Sequence, residues 1–222
     1  MATSPALLQL RGVSKAYQST TGSEVVLQGL DLTIEAGQKV SLMGPSGSGK
    51  STLLSLIAGL LRPDAGTVEF DGVALAGLDD GEQAALRSER IGIALQSDNL
   101  IPFLSAAENV ELALGFARRG NNRDRARQLL ERMSVANRSD HLPRQLSGGE
   151  AQRVALAVAI ANEPALLLAD EMVSALDAST AGLVVDEVFS SEMAVLFVTH
   201  TAELADKAEL RLCLSGHALV SR

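Results

Sequence analysis

The stretch VSLMGPSGSGKSTLL, residues 40–54, decides the fold, because it joins an apolar strand to an apolar helix through a glycine-rich loop. The loop itself, Gly44–Ser51, matches the pattern G-x-x-x-x-G-K-[ST]. Glycines let the backbone curl so that several N–H groups point inward at phosphate oxygens, and the N-terminus of the following helix adds its positive dipole. The stretch therefore predicts a phosphate-binding loop. Its predicted ligand-contacting members are Gly44, Pro45, Ser46, Gly47, Ser48, Gly49, Lys50, Ser51 and Thr52.

Two side chains of this loop have the chemistry that a nucleoside triphosphate requires. Lys50 can reach the β- and γ-phosphates with its ammonium group, and the Ser51 hydroxyl can bind Mg²⁺. A glycine turn without any ligand could contain the same glycines. The apolar strand before the loop and the apolar helix after it favour the phosphate-binding interpretation, because that motif requires both.

A second motif, ALLLADE at residues 165–171, places two adjacent carboxylates at the end of an apolar strand. The carboxyl ends of strands are where open α/β sheets bind ligands. On its own this pattern is typical of a solvated strand end. Together with the phosphate loop, it predicts that Asp170 is a partner of Mg²⁺ through water and that Glu171 takes a proton from an attacking water.

The order of the predicted elements indicates the fold class. The second half of the chain alternates helices and strands, which favours an α/β fold with a mostly parallel core sheet. Residues 103–144 show no clear strand pattern, so we expect a single domain with its core at residues 1–95 and 145–222 and a helical subdomain at about 96–144. An Asp71-Gly72 turn predicts a β-hairpin. Further predicted elements are strands at residues 7–10, 25–27, 31–34, 91–95 and 194–198, and helices at residues 51–61 and 201–208.

Composition excludes some classes of protein. The chain has 222 residues, of which 46% are hydrophobic, and a net charge of -8. An acidic balance argues against a nucleic-acid partner, which would require a basic face. The single Cys213 permits no internal disulfide and fits a reducing compartment. No signal peptide and no run of about 18 apolar residues is visible, so we expect a soluble protein.

The sequence LSGGE at residues 146–150 opens an apolar helix and allows two interpretations. Ser147 can cap the helix while Glu150 reaches back to it, as in an ordinary capping box. The same helix N-terminus, with Gly148 and Gly149, can also let backbone N–H groups come close to an anion. The residues alone do not decide between these interpretations, which are compatible with each other.

These motifs, taken in order, resemble those of the ATP-binding subunits of ABC transporters, and the resemblance covers almost the whole chain. The matching positions are Gly44–Ser51, Gln96, Leu146–Glu150, Ala165–Glu171, Ser174–Asp177 and His200. Within the family, the chain is most similar to the lipoprotein-releasing, macrolide-exporting and cell-division ATPases. The resemblance implies a P-loop NTPase fold with a mostly parallel core sheet, an antiparallel β subdomain and a helical subdomain.

The resemblance also implies that ATP and Mg²⁺ bind between two copies of the chain. The phosphate loop of one copy and LSGGE of the other would enclose each nucleotide, so that Lys50 of the opposite copy supplies the cation that LSGGE lacks. The implied contacts from the second copy are Ser147, Gly148, Gly149 and Glu150, and Asp177 lies in a loop that crosses the interface.

Further roles follow from the same resemblance. Tyr17 would stack on adenine, Gln96 would contact Mg²⁺ and the attacking water, and His200 would contact the γ-phosphate. The implied catalytic residues are thus Glu171, His200, Gln96 and Lys50, and the implied metal partners are Ser51, Gln96 and Asp170.

The implied function is an ATP-binding and hydrolysing subunit that powers a separate membrane permease through ATP-driven homodimerisation, on the cytoplasmic face of the inner or plasma membrane. Two alternatives stay open: an ATP-binding regulatory subunit of a membrane complex, of the cell-division type, and a soluble ABC ATPase without a transporter. The chain departs from the family pattern at Met172-Val173, Val158 and Thr201. Because Lys50 and Glu171 are retained, we expect hydrolysis to persist.

Overall fold

The computed structural model describes residues 6–19, 22–95, 100–116 and 122–221. The chain divides into two compact units. The first contains the described residues of Met1–Arg87 and Ala194–Arg222, and the second contains those of Ser88–Met193. The phosphate loop belongs to the first unit, whereas LSGGE and ALLLADE belong to the second.

An antiparallel sheet in the first unit has the strand order β2-β1-β4-β5. Its strands are β1 (Ala6–Ser19), β2 (Gly22–Glu35), β4 (Ala65–Phe70) and β5 (Val73–Ala74). Register shifts at β-bulges let β1 and β2 continue through residues that break the alternation of buried and exposed positions. The predicted strands at residues 7–10, 25–27 and 31–34 are therefore parts of two long strands. The predicted Asp71-Gly72 hairpin is confirmed, since Phe70 pairs with Val73.

The first unit also contains strands in the order β10-β9-β3-β8. These are β3 (Lys39–Met43), β8 (Ala194–Val198), β9 (Leu210–Ser215) and β10 (Ala218–Ser221). β3 pairs in parallel with both β8 and β9, while β10 pairs antiparallel with β9. Every residue of β8 is buried, as its unbroken apolar sequence predicts. The carboxyl ends of β3 and β8 therefore meet at one edge, where the phosphate loop begins.

Two helices predicted for this unit are shorter than expected. α1 (Lys50–Ile57) ends four residues before the predicted limit at residue 61, because the N–H groups of Gly59 and Leu60 turn back to the carbonyls of Leu56 and Ser55. α7 (Ala202–Ala205) begins one residue after the predicted start at residue 201 and ends three residues before the predicted limit at residue 208. The N–H groups of Lys207 and Ala208 bond three residues back, so the chain tightens and leaves the helix.

In the described residues of the second unit, β6 (Ile91–Leu95) and β7 (Leu166–Asp170) form a parallel strand pair. Its helices are α3 (Ala106–Phe116), α4 (Asn122–Arg132), α5 (Gly148–Ile160) and α6 (Ala178–Phe189), and α2 (Asp80–Arg90) leads into it from the first unit. α5 buries an apolar face that includes Val154, Leu156 and Ile160. LSGGE thus stands at the N-terminus of a helix whose body is fixed in the core of its unit.

Residues 100–116 and 122–145 contain α3, α4 and two short 3-10 turns, Ala136–Arg138 and Pro143–Gln145. The boundaries of a helical subdomain at about 96 and 144 stay a prediction. None of the helices in the described part of the chain combines the length and the apolar character needed to cross a bilayer.

Candidate functional site

The phosphate loop connects β3 to α1 within the first unit, and two of its glycines are required by close packing. A Cβ on Gly44, whose φ is +150°, would lie too close to the Leu214 carbonyl oxygen, at 2.4 Å. A Cβ on Gly49, whose φ is +100°, would lie 2.6 Å from Cγ1 of Val26. Both positions combine a left-handed backbone with a near approach to a neighbouring strand, so only glycine fits.

The helix after the loop begins without a side-chain cap. Gly49 is the N-cap residue of α1 and has no side chain with which to cap the helix, and the first turn contains no acidic residue. The first intrahelical bond runs from Leu53 N–H to the Gly49 carbonyl, at 2.9 Å. The positive end of the α1 dipole is therefore not neutralised by a cap, which is the arrangement that favours a bound anion.

Two polar groups of the loop fit an anionic ligand. Lys50 is only 8% exposed, and its Nζ donates to the carbonyls of Gly44 (2.9 Å) and Pro45 (2.8 Å). These bonds use two of the three N–H donors of an ammonium group. Oγ of Ser48 is buried and has no hydrogen-bond partner among the described residues. A buried hydroxyl without a partner is unfavourable by about 1–3 kcal/mol, and a phosphate oxygen would satisfy it.

Tyr17 and His200 lie in the same unit as the loop. The Tyr17 hydroxyl is 3.5 Å from Oγ1 of Thr52, in the first turn of α1, and the side chain is 41% exposed. His200 is exposed and follows β8, whose Val198 pairs with Leu42 of β3 just before the loop begins. Thr201, where the family pattern has aspartate, bonds to the Thr199 hydroxyl at 3.2 Å. The structure thus brings an exposed aromatic ring beside α1, and an exposed imidazole to the edge where β3 and β8 end.

In the second unit, Asp170 ends β7 and pairs with Leu95 of β6. Gln96, the next residue after Leu95, lies outside the described residues. Glu171 follows Asp170 with a φ of +54°, a left-handed conformation that non-glycine residues rarely adopt and that clusters at functional sites. Met172 is only 1% exposed, so the departure from the family pattern at this position buries an apolar side chain directly after Glu171.

Gln152 contacts the turn that contains Glu171, and the sequence motifs did not indicate it. Its side-chain amide donates to the Glu171 carbonyl, and its side-chain oxygen accepts from the Ala175 N–H at 3.2 Å. One sequence signal was available. Gln152 stands three residues after Gly149 on α5, and residues at this spacing share a helix face.

LSGGE forms the predicted capping box. Ser147 is the N-cap of α5, its Oγ accepts from the Glu150 N–H at 3.3 Å, and Oε2 of Glu150 accepts from the Ser147 N–H at 2.8 Å. Oε1 of Glu150 also accepts from Nε of Arg138 at 2.8 Å. The Arg138 hydrogen bond, followed by that from the Ser147 backbone, lowers the pKa of Glu150 to about 2. The carboxylate is thus held ionised and fixed.

The two glycines of LSGGE have different surroundings. A Cβ on Gly149 would lie 2.8 Å from the Ala175 carbonyl oxygen and 3.0 Å from Cδ2 of Leu176. A Cβ on Gly148 would meet nothing closer than Cβ of Ala175 at 3.8 Å, an ordinary contact, and Gly148 is exposed. Packing inside the chain therefore requires glycine at position 149 only. Gly148 leaves the N-terminus of a 13-residue helix open to approach from outside.

Asp177 is the N-cap of α6, where its Oδ1 accepts from the N–H groups of Ser179 (3.1 Å) and Thr180 (3.0 Å). The side chain of Ser179, and then that of Thr180, holds the pKa of Asp177 well below its usual range. This capping role accounts for an aspartate at the start of α6. The predicted role of Asp177 at a dimer interface stays a prediction.

Comparison with known proteins supplies the family. Residues 27–174 match the family model described as ABC transporter. The chain is 43% identical to the lipoprotein-releasing system ATP-binding protein LolD of Nitrobacter hamburgensis, over 96% of this chain and 95% of that protein. It is 42% identical to the macrolide export ATP-binding/permease protein MacB of Rhodopseudomonas palustris, over 96% of this chain but only 33% of that longer protein. A solved dimer of the ATP-binding cassette MJ0796, in a post-hydrolysis state with ADP and Pi, matches with a TM-score of 0.93 and 37% identity over 97% of each chain.

The α/β fold and the glycine-rich loop between β3 and α1 define a P-loop nucleotide-binding protein. The chain belongs to the ABC transporter family. It is an ATP-binding subunit and an ATPase, as predicted, and its relatives include the lipoprotein-releasing and macrolide-exporting proteins that the sequence motifs indicated.

Proposed function

We propose that two copies of this chain close around two ATP molecules, each held by the phosphate loop of one copy and by Ser147, Gly148 and Gly149 of the other. The observation that carries the proposal is the exposed Gly148 at the N-terminus of α5, the positive end of the helix dipole. A Cβ built on Gly148 would lie no closer than 3.8 Å to the nearest neighbouring side chain, so an anion can approach this helix end. The named relative MJ0796 forms a dimer with ADP and Pi, which supports the same assembly here.

We assign the phosphate chemistry to the residues that the sequence motifs indicated. Lys50 binds the β- and γ-phosphates, and the uncapped start of α1 adds its dipole. The Ser51 hydroxyl and the Asp170 carboxylate are hard oxygen donors, which suit Mg²⁺, and Gln96 joins them. When bound, Mg²⁺ neutralises charge on the β- and γ-phosphate oxygens. Tyr17, 41% exposed beside Thr52, stacks on adenine.

Hydrolysis follows from the same assignment. Glu171 accepts a proton from a water molecule as the water oxygen bonds to the γ-phosphorus, and the bond from that phosphorus to the β–γ bridging oxygen breaks. ADP and inorganic phosphate result. Lys50 and His200 stabilise the charge on the transferring group. Loss of the γ-phosphate removes the anion that both copies share, so the dimer loosens.

We further propose that a separate membrane permease docks on the second unit, at the cytoplasmic face of the membrane. Phe103 is 76% exposed in the segment before α3, and Phe116 is 65% exposed at the end of that helix. Exposed aromatic side chains of this size are typical of surfaces that a partner covers. Opening and closing of the ATP dimer would then bias the permease between two states.

The test is the oligomeric state of a hydrolysis-deficient variant. Glu171→Gln keeps the size of the side chain but removes the base, so we expect it to accumulate as a dimer with Mg²⁺ and ATP and to stay monomeric with ADP, measured by light scattering after gel filtration. Wild-type protein should release phosphate from ATP. The proposal is wrong if the variant binds ATP yet stays monomeric at every concentration, with and without its membrane partner.

A further inference from the structure

We infer that Gln152 is a positioning residue that holds Glu171 for hydrolysis, an inference that rests on the role proposed above for Glu171. Nε2 of Gln152 donates to the Glu171 carbonyl at 2.5 Å, and Oε1 accepts from the Ala175 N–H at 3.2 Å. Nε2 also lies 3.5 Å from Oγ of Ser174. One side chain thus bonds to both ends of the turn at residues 171–175.

The turn needs such a contact because of its backbone conformation. Glu171 has a φ of +54°, which persists in a non-glycine residue only where the surroundings enforce it. The turn supplies one bond itself, from the Ser174 N–H to the Glu171 carbonyl at 3.1 Å. Gln152 donates a second hydrogen bond to the same oxygen, so the plane of the peptide after Glu171 is held from two directions.

The residues on either side of Glu171 are also held by their places in the fold, while Gln152 bonds directly to the Glu171 backbone. Asp170, before it, is the last residue of β7, and Met172, after it, is 1% exposed. Within the described residues, the hydrogen bonds of the Gln152 side chain go to residues 171, 174 and 175. The side chain is only partly buried, so filling the core is not its main role.

The helix that carries Gln152 also carries LSGGE. Gly149 and Gln152 are three residues apart on α5 and both face the 171–176 segment, Gly149 through the Ala175 carbonyl and Leu176. The first turn of α5 and the turn after β7 are therefore packed as one body inside the second unit. A substitution at Gln152 should therefore change the position of Glu171 and leave the phosphate loop unaltered.

Two substitutions separate the contacts of Gln152. Gln152→Met removes the donor and the acceptor at similar length. Gln152→Glu keeps the acceptor for the Ala175 N–H but turns a carboxylate oxygen toward the Glu171 carbonyl. We expect both to lower kcat by about tenfold, as for a small displacement of a reacting group, with KM for ATP unchanged. Gln128→Met, exposed on α4, is the control and should keep the wild-type kcat.

A double-mutant cycle then distinguishes positioning from a general structural role. If Gln152 acts through Glu171, Gln152→Met should cause no further loss of single-turnover hydrolysis in the Glu171→Gln background. Circular dichroism and nucleotide binding check that each variant is folded. If Gln152→Met does not fold, the same cycle is measured with Gln152→Glu. Independent, additive losses, or a wild-type kcat in Gln152→Glu, would overturn the inference. Wild-type turnover by Glu171→Gln would instead overturn the proposed base, and this inference with it.

Discussion

Alanine substitution of the two neighbouring glycines of LSGGE should separate packing from ligand binding. Gly149→Ala would place a methyl group 2.8 Å from the Ala175 carbonyl oxygen and 3.0 Å from Cδ2 of Leu176. Both distances are shorter than an ordinary contact, and one of the neighbours is backbone, so α5 and the 171–176 segment must move apart. Gly148→Ala meets nothing closer than 3.8 Å and requires no such movement.

The expected stabilities follow from these contacts. Overpacking costs about 1–3 kcal/mol, and replacing a helical glycine by alanine returns up to about 1 kcal/mol. Gly149→Ala should therefore lower the free energy of unfolding by up to about 2 kcal/mol, and lower Tm by up to roughly 8 °C. Gly148→Ala has only the favourable contribution, so its Tm should be unchanged or raised by up to about 4 °C. Calorimetric unfolding without nucleotide measures both.

In the proposed ATP-bound dimer, Gly148→Ala should be harmful although it leaves the isolated chain stable. In the Glu171→Gln background, Gly148→Ala puts a methyl group where the γ-phosphate of the opposite site would approach the N-terminus of α5. Dimerisation with Mg²⁺ and ATP should need a higher protein concentration than for Glu171→Gln alone, as measured by light scattering. Two results would refute the reasoning: a fall in Tm for Gly148→Ala equal to that of Gly149→Ala, or an unchanged dimerisation constant for Gly148→Ala.

Two further predictions concern charged side chains. Because the pKa of Glu150 is lowered from 4.5 to about 2, its ionised form stabilises the folded state above about pH 4.5, and this contribution is lost as the pH falls toward 2. Urea unfolding across that range should show wild type losing more stability than Glu150→Gln, which can still accept from the Ser147 N–H; parallel curves would contradict the contribution of the charge. Lys50→Met should weaken ATP binding by at least roughly 30-fold in titration calorimetry, as expected when a buried charge contact is lost, while Lys207→Met, exposed, should bind as wild type does.

The parts of the fold that could be predicted are those whose signal is local. β6 and β8 begin and end where predicted, because an uninterrupted apolar run marks a strand buried in a parallel sheet. β1 and β2 were predicted as short pieces, since bulges interrupt the period of two that identifies a strand. β10 was not predicted at all. Three of its four residues are exposed, so its sequence carries no burial pattern.

The contacts of the candidate site also fall into those that a local sequence pattern indicates and those that it does not. The phosphate loop with Lys50 could be predicted because its eight-residue motif lies directly between a strand and a helix in the sequence. The contact between Gln152 and Glu171 joins residues 19 apart, and that between Arg138 and Glu150 joins residues 12 apart. Neither pair has a spacing that a regular element repeats. Such contacts arise only when separate segments pack, so the sequence could not identify them.

One turn of α5 shows why a motif alone gave two compatible interpretations. Ser147 and Glu150 satisfy each other as a capping box, which completes the helix within its own chain. Gly149 and Gln152, on another face, pack against the segment that contains Glu171. Gly148 is exposed, and no atom of the chain beyond its helix comes closer than 3.8 Å to a Cβ built on it. Capping, internal packing and an open approach to the helix end are therefore carried by different members of the six residues 147–152. The three roles can coexist because successive residues of a helix point in different directions around its axis.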